Sequence, residues 1–152
     1  MRVIIREIKA IPTLMHWRMK VMESVFGVVP SKRLLAANRR YYRQHIADGS
    51  HVAVVAEADG EGVGCGAVCL TEGLPSPDNP SGRCAYLMNI FVREVWRGRG
   101  VGHAIVTRLI EIARESGCDK IYLETTDGAR SFYRSVGFNE LPGIMKYADI
   151  HD

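Results

Sequence analysis

The sequence predicts a fold that mixes α-helices and β-strands, α/β in the broad sense that includes α+β. Helices cover both faces of one mixed β-sheet. The chain of 152 residues is close to the commonest size of one domain, so we expect a single domain over residues 1–152. A content of 47% hydrophobic and 24% charged residues is typical of a globular chain rather than a disordered one. The hydrophobic periodicity gives the order β-α-α-β-β-β-α-β-α-β, which predicts helices on both faces of the sheet.

The first half of the chain contains one strand, two helices and a hairpin. Residues 2–8 alternate apolar and charged side chains, as a half-buried strand does. Apolar residues then recur every three or four positions from Leu14 to Val25, which indicates a helix, and Ser31 is a suitable N-cap for a second one. The predicted elements are a strand at 2–8, a helix from 12 to near 27, a helix at 32–48, and strands at 52–57 and 63–70.

The second half begins with a loop at 72–83 that is rich in proline and glycine and long enough to be functional or mobile. After it the pattern alternates strand and helix, and Pro142-Gly143 marks the final turn. The predicted elements are a strand at 85–92, a helix at 100–117, a strand at 121–125, a short helix at 128–136, and last strands within 138–147.

Several classes of protein are disfavoured. No apolar run approaches the ~18 residues of a membrane span, and charges interrupt the apolar stretch at the N-terminus, so a cytoplasmic protein without membrane contact is expected. A net charge of +3 is too small to argue for nucleic-acid binding. The four cysteines lack metal-site spacing, so we expect no metal and reduced, buried thiols.

The densest chemical signal lies between the strand at 85–92 and the helix at 100–117. Three glycines at alternate positions, 98, 100 and 102, would let backbone N–H groups approach an anion, and the helix N-terminus adds positive charge. The pattern fits neither a P-loop nor a dinucleotide fingerprint. The alternative to an anion-binding site is a glycine-rich turn whose arginines bind nothing.

Two motifs resemble one known family. Residues 97–102, Arg-Gly-Arg-Gly-Val-Gly, match the acyl-CoA signature [QR]-x-x-G-x-[GA] of the GNAT N-acetyltransferases. Residues 129–138 resemble that family's A-x-x-x-Y-x-x-x-G-F element, with one helix and one strand between the two motifs. The resemblance implies a GNAT fold, with a mostly antiparallel sheet that is splayed between strands four and five.

The resemblance also implies acetyl-CoA as the co-substrate. Its pantetheine would pair with the bulged fourth strand, and its pyrophosphate would bind at the glycine-rich loop. A backbone amide, of Ile90 or Phe91, would polarise the thioester carbonyl. The implied cofactor-binding residues are Ile90, Phe91, Val92, Arg97, Gly98, Arg99, Gly100, Val101, Gly102, His103 and Thr126.

Tyr133 matches the family tyrosine that protonates the departing thiolate; the alternative is a packing tyrosine. The fourth strand carries no carboxylate at the place where many members have a general base. Glu124 is our first choice for that base. Glu23, His45, His51 and a chain of waters remain alternatives.

The predicted activity is transfer of the acetyl group to a primary amine of a small molecule or peptide in a direct ternary complex. The basic run Arg39, Arg40 and Arg43 would favour an acceptor bearing a carboxylate or phosphate if it faces the cleft. The main alternative is a catalytically silent acyl-CoA sensor, and a nucleic-acid binder is a weaker one. The resemblance also implies that the first two helices and the loop at 72–83 form the walls of the acceptor site. A homodimer is expected.

Overall fold

The computed structural model describes residues 2–148. Five strands and four α-helices follow the predicted order, with one π-helical turn and two short 3-10 turns between them. The elements are β1 (Val3–Ile8), α1 (Ile11–Val21), a π turn (Met22–Phe26), α2 (Lys32–Ala47), β2 (His51–Ala58), β3 (Glu61–Glu72), β4 (Arg83–Val92), α3 (Val101–Glu115), β5 (Lys120–Leu123) and α4 (Arg130–Val136).

The strands form one sheet in the order β1-β2-β3-β4-β5. The first four pair antiparallel, and β5 joins β4 in parallel after the α3 crossover. This mixed sheet confirms the predicted fold class. None of the described helices is long and apolar enough to cross a membrane.

Alternate residues of the strands supply two separate cores. On one face Val54, Val68 and Leu87 pack with the buried side of α3, including Ile105 and Leu109. On the other face Ala53, Val55 and Cys65 pack with Leu14 and Trp17 of α1 and with Tyr42 of α2. Helices therefore cover both faces, as the period-two pattern of the strands requires.

A β-bulge interrupts β4 in its second half. Ala67 pairs with Met88 and Cys65 with Phe91, so Gly66 alone faces both Asn89 and Ile90. Asn89 adopts a left-handed backbone with φ of 56°, which asparagine tolerates better than most residues. A Cβ on Gly66 would lie 2.6 Å from Ile105 Cγ2, so α3 packs directly on the sheet at this glycine.

The sheet opens beyond the bulge. β5 pairs with β4 only between Lys120 and Leu123, opposite Cys84 to Leu87. β4 continues for five more residues to Val92, whereas β5 ends at Leu123. The two strands therefore enclose a gap, and the expected splay between strands four and five is confirmed.

The prediction of last strands within 138–147 is wrong for the described residues. Only the turn at Pro142-Gly143 is present. Glu140 accepts hydrogen bonds from Arg130 (2.7 Å) and Arg134 (3.0 Å), which hold the chain against α4 rather than alongside the four-residue β5. A strand forms only where its backbone can hydrogen-bond to a neighbouring strand, and the contacts of Glu140 hold this segment away from β5.

The loop after β3 also differs from its expected role. Ser81 N–H donates to Asp119 Oδ2 (2.8 Å), and Arg83 donates to the carbonyl of Ser116 (3.1 Å). The loop is thereby fixed to the turn after α3, next to the first residues of β4. The gap opens near the other end of that strand, so the loop does not wall it.

Candidate active site

A cleft of about 520 Å³ occupies the gap between β4 and β5. The end of α1 and the π turn contribute one group of lining residues, β4 a second, and the chain from Glu124 through α4 a third. The lining residues are Arg18, Val21, Ser24, Val25, Phe26, Tyr86, Leu87, Met88, Asn89, Ile90, Glu124, Thr125, Thr126, Ala129 and Tyr133.

The first turn of α3 has the features of an anion-binding site. Gly100 is the N-cap, with φ of 84°, no side chain caps the turn, and no acidic residue lies in it. The first N–H groups of a helix have no partner within it, and they carry partial positive charge. The space where a Cβ of Gly98 or Gly100 would project is open, with no atom within 4 Å. These residues therefore fit a pyrophosphate.

Two arginines flank this turn. Arg97 Nε donates to the carbonyl of Val92 (3.1 Å), and the Arg99 guanidinium stacks on Trp96 at 5.0 Å from the ring centroid. Both side chains are exposed, and neither has a carboxylate partner within residues 2–148. Their charge is available to a phosphate of a bound ligand.

Tyr133 lies where α4 meets the cleft. Its ring packs edge-on against Phe132 (5.1 Å between centroids) and Phe138 (6.0 Å). Burial raises the pKa of the phenol above its usual value. The phenol is therefore protonated at neutral pH, as a proton donor must be.

Glu124 follows β5 directly and lines the same cleft. Burial, together with the neighbouring negative charge of Glu124, raises the pKa of Tyr86 to about 12. Of the alternative bases, Glu23 lines neither this cleft nor a smaller cavity that adjoins it. His45 Nδ1 is hydrogen-bonded to Ser50 Oγ (2.6 Å).

The remaining predicted residues separate into three groups: those that line the cleft, those whose side chains enter the cores, and those at the start of α3. Ile90 and Thr126 line the cleft. The side chains of Phe91 and Val92 pack into opposite cores, so only their backbones can serve a ligand along β4. Val101, the first residue of α3, is buried, and a Cβ added at Gly102 would lie 3.2 Å from the Phe132 ring.

A second cavity of about 240 Å³ adjoins the cleft and shares Arg18, Met88 and Asn89 with it. Mostly polar side chains from α2 and β2 complete its wall. The remaining lining residues are Ala37, Asn38, Tyr41, Tyr42 and His51.

His51 is buried in the wall of this cavity. Its Nδ1 lies 2.8 Å from the Tyr41 hydroxyl, which also contacts Cys69 Sγ at 3.0 Å. The Nε2 atom is buried without a hydrogen-bond partner in the described structure. Burial lowers the pKa of His51 to about 4, so the imidazole is neutral near pH 7.

Sequence reasoning missed the position of Arg18. Its Nε donates to Asn38 (3.1 Å), and one terminal nitrogen donates to Asn89 (2.8 Å), which is 71 residues away in sequence. The basic run Arg39, Arg40 and Arg43, which would have favoured an anionic acceptor had it faced the cleft, is exposed on α2 and lines neither cavity. The one available signal for Asn89 was that asparagine within a strand can adopt a left-handed backbone conformation.

Comparisons with known proteins identify the family of this chain. The acetyltransferase (GNAT) family matches residues 11–138. Glucosamine 6-phosphate N-acetyltransferase 1 of Oryza sativa subsp. japonica is 35% identical over 92 residues, which cover 59% of this chain and 54% of that protein. Thialysine N-epsilon-acetyltransferase of Sus scrofa is 30% identical over 106 residues, 55% of this chain and 62% of that protein. The chain therefore spans less than two thirds of either relative.

The fold is shared with a crystal structure described as a "predicted acetyltransferase with acetyl-CoA" from Clostridium acetobutylicum. Its TM-score is 0.84 at 24% identity, with 95% of each chain covered. The chain belongs to the GNAT acetyltransferase family. The predicted class, an acetyl-CoA-dependent acetyltransferase, is thereby confirmed at the level of the family.

Proposed function

We propose that this chain transfers the acetyl group of acetyl-CoA to a primary amine of a small molecule or peptide within a ternary complex. One observation carries the proposal: the cleft that opens beside the bulged β4 has both Tyr133 and Glu124 in its wall. A proton donor for the leaving group and a proton acceptor for the nucleophile thus border the same space. Direct transfer needs both, because an amine must lose a proton and a thiolate must gain one.

The proton balance assigns one role to each residue. Glu124 accepts a proton from the amine as the new N–C bond forms. Tyr133 donates its hydroxyl proton to the sulfur as the C–S bond breaks. The phenol is suited to this role because burial raises its pKa, which keeps it protonated at neutral pH.

The donor would be held by backbone groups and the glycine-rich turn. The N–H groups at the start of α3, with Arg97 and Arg99, would bind the pyrophosphate. The stretch of β4 after Leu87 pairs with β3 but has no β5 partner, so its free edge would hold the pantetheine in the way that a sheet edge holds an added strand. A β4 amide, of Ile90 or Phe91, would stabilise negative charge on the carbonyl oxygen, and Thr126 would hydrogen-bond the pantetheine.

The named relatives support an amine acceptor, since their names specify glucosamine 6-phosphate and thialysine. We further propose that residues 1–152 act as one catalytic domain, that the protein is cytoplasmic, and that it forms a homodimer.

An acceptor screen with thiol detection of released CoA tests the proposal, using amino acids, polyamines, aminoglycosides and peptides. Free CoA should appear only with an amine, and the product should carry the acetyl group on nitrogen. Binding of acetyl-CoA without turnover on any amine would contradict transfer and favour the alternative, an acyl-CoA sensor.

Tyr133→Phe tests the proton donor. Loss of a general acid costs typically about 10²- to 10⁴-fold in rate, so kcat should fall toward that range while acetyl-CoA affinity changes little. Because the phenol's pKa is raised, the wild-type enzyme should lose activity only well above neutral pH, and the variant should lack that decline. Normal turnover in the variant would leave Tyr133 as a packing residue.

A further inference from the structure

Among the described residues, Arg18 is the one cation lining the cleft, and Glu124 is the one carboxylate. It also lines the second cavity, and so stands at the junction of the two spaces. The part of an amine acceptor that extends away from the transferred group toward the second cavity would pass this side chain.

The charge of Arg18 is positioned but not neutralised. Both of its protein partners, Asn38 and Asn89, are neutral amides, and no carboxylate pairs with it among residues 2–148. A guanidinium has five N–H donors, of which these bonds use two. Phe26 covers the group at 5.6 Å from its ring centroid. The guanidinium is thus fixed in place with donors to spare.

The second cavity provides an independent indication of a polar ligand. The Nε2 atom of His51, in a residue only 3% exposed, has no partner in the described structure. A buried polar atom without a hydrogen bond is costly unless something else satisfies it. A polar group of a ligand that reaches this cavity past Arg18 would do so.

We propose that the acceptor is an amine that carries an anionic group, a carboxylate or a phosphate ester, and that Arg18 binds this group at the junction of the two cavities. The inference rests on the proposed function, because it places the anion relative to the amine that is acetylated. Arg18 determines specificity here and takes no part in proton transfer.

The test measures binding and turnover for pairs of amines that differ only in the anion: glucosamine 6-phosphate against glucosamine, and lysine against lysine amide. Calorimetry in the presence of CoA gives affinities that do not depend on catalysis. Charge-assisted hydrogen bonds predict that the anionic member of at least one pair binds about 10- to 100-fold more tightly.

Asn38→Asp is the sharpest variant. It is nearly isosteric and places a carboxylate about 3 Å from Arg18 Nε, where Asn38 Oδ1 now lies at 3.1 Å. The internal carboxylate should reduce the preference for the anionic amine about tenfold or more. Arg18→Gln, which removes the charge, should do the same, and Arg39→Gln on the exposed surface of α2 is the control that should keep it. Acetyl-CoA affinity verifies that each variant is folded.

Equal affinities within both pairs, or no detectable binding of either anionic amine, would overturn the proposal. So would an undiminished preference in folded Asn38→Asp. If the anionic amine binds more tightly but neither member is acetylated, the anion site stands and the proposed transferase activity fails.

Discussion

Acid should destabilise this protein through His51. The imidazole is buried between Tyr41 and Cys69 in the wall of the second cavity. Burial is the main cause that lowers its pKa from 6.5 to about 4, and the charges of His45 and Arg18 act in the same direction. The unfolded chain therefore binds a proton between pH 6.5 and 4 that the folded chain resists.

The sign and size follow from this difference. Because the unfolded state binds more protons in that range, the free energy of unfolding falls as pH decreases from 6.5 to 4. Each pKa unit is worth about 1.4 kcal/mol, so His51 alone should remove about 3 kcal/mol by pH 4. That is a large part of the stability of a typical domain.

Urea denaturation at pH 7, 6, 5 and 4 measures the effect. His51→Asn is the control, because its amide oxygen can replace Nδ1 opposite Tyr41 but does not titrate. The wild-type protein should lose about 3 kcal/mol more than this variant between pH 7 and pH 4. Parallel pH dependences of the two proteins would refute the reasoning.

Two further predictions concern Gly66 and the cradle, the glycine-rich turn at residues 97–103. Gly66→Ala should destabilise the fold by about 1–3 kcal/mol, because its Cβ would meet Ile105 at 2.6 Å; Gly73→Ala, whose Cβ would have no atom nearer than 3.7 Å, is the control. Equal stabilities in urea would contradict close packing of α3. Arg99→Gln should weaken acetyl-CoA binding by calorimetry, and less so at high salt, whereas Arg114→Gln at the far end of α3 should not. Equal affinities for these two variants would remove Arg99 from the cradle.

Most of the fold could be predicted because its signals are local. The apolar periods of two and about 3.6 residues are contained within single elements, and the predicted strands and helices up to α4 are all present. The last strands failed because a strand exists only with a partner. What holds residues after Phe138 is a set of ion pairs from α4 to Glu140, which no periodicity reveals.

The two parts of the site, the cradle at 97–103 and Arg18, also differ in whether their signals are local in the sequence. The cradle at 97–103 is one continuous stretch, since its donors are backbone groups of a turn and a helix start. Arg18 reaches Asn89 only through packing of α1 on the sheet, across 71 residues of sequence. Its own sequence neighbourhood is an ordinary amphipathic helix, so its position at the junction required the structure.

The most direct test of the central claim is release of CoA from acetyl-CoA by the wild-type protein and by Tyr133→Phe, with glucosamine 6-phosphate and lysine as acceptors and mass spectrometry of the products. The account predicts an N-acetylated amine with the wild-type protein. It also predicts a rate reduced about 10²-fold or more in the variant, at nearly unchanged acetyl-CoA affinity. Acetyl-CoA binding without any acetylated amine, or equal rates for the two proteins, would contradict it.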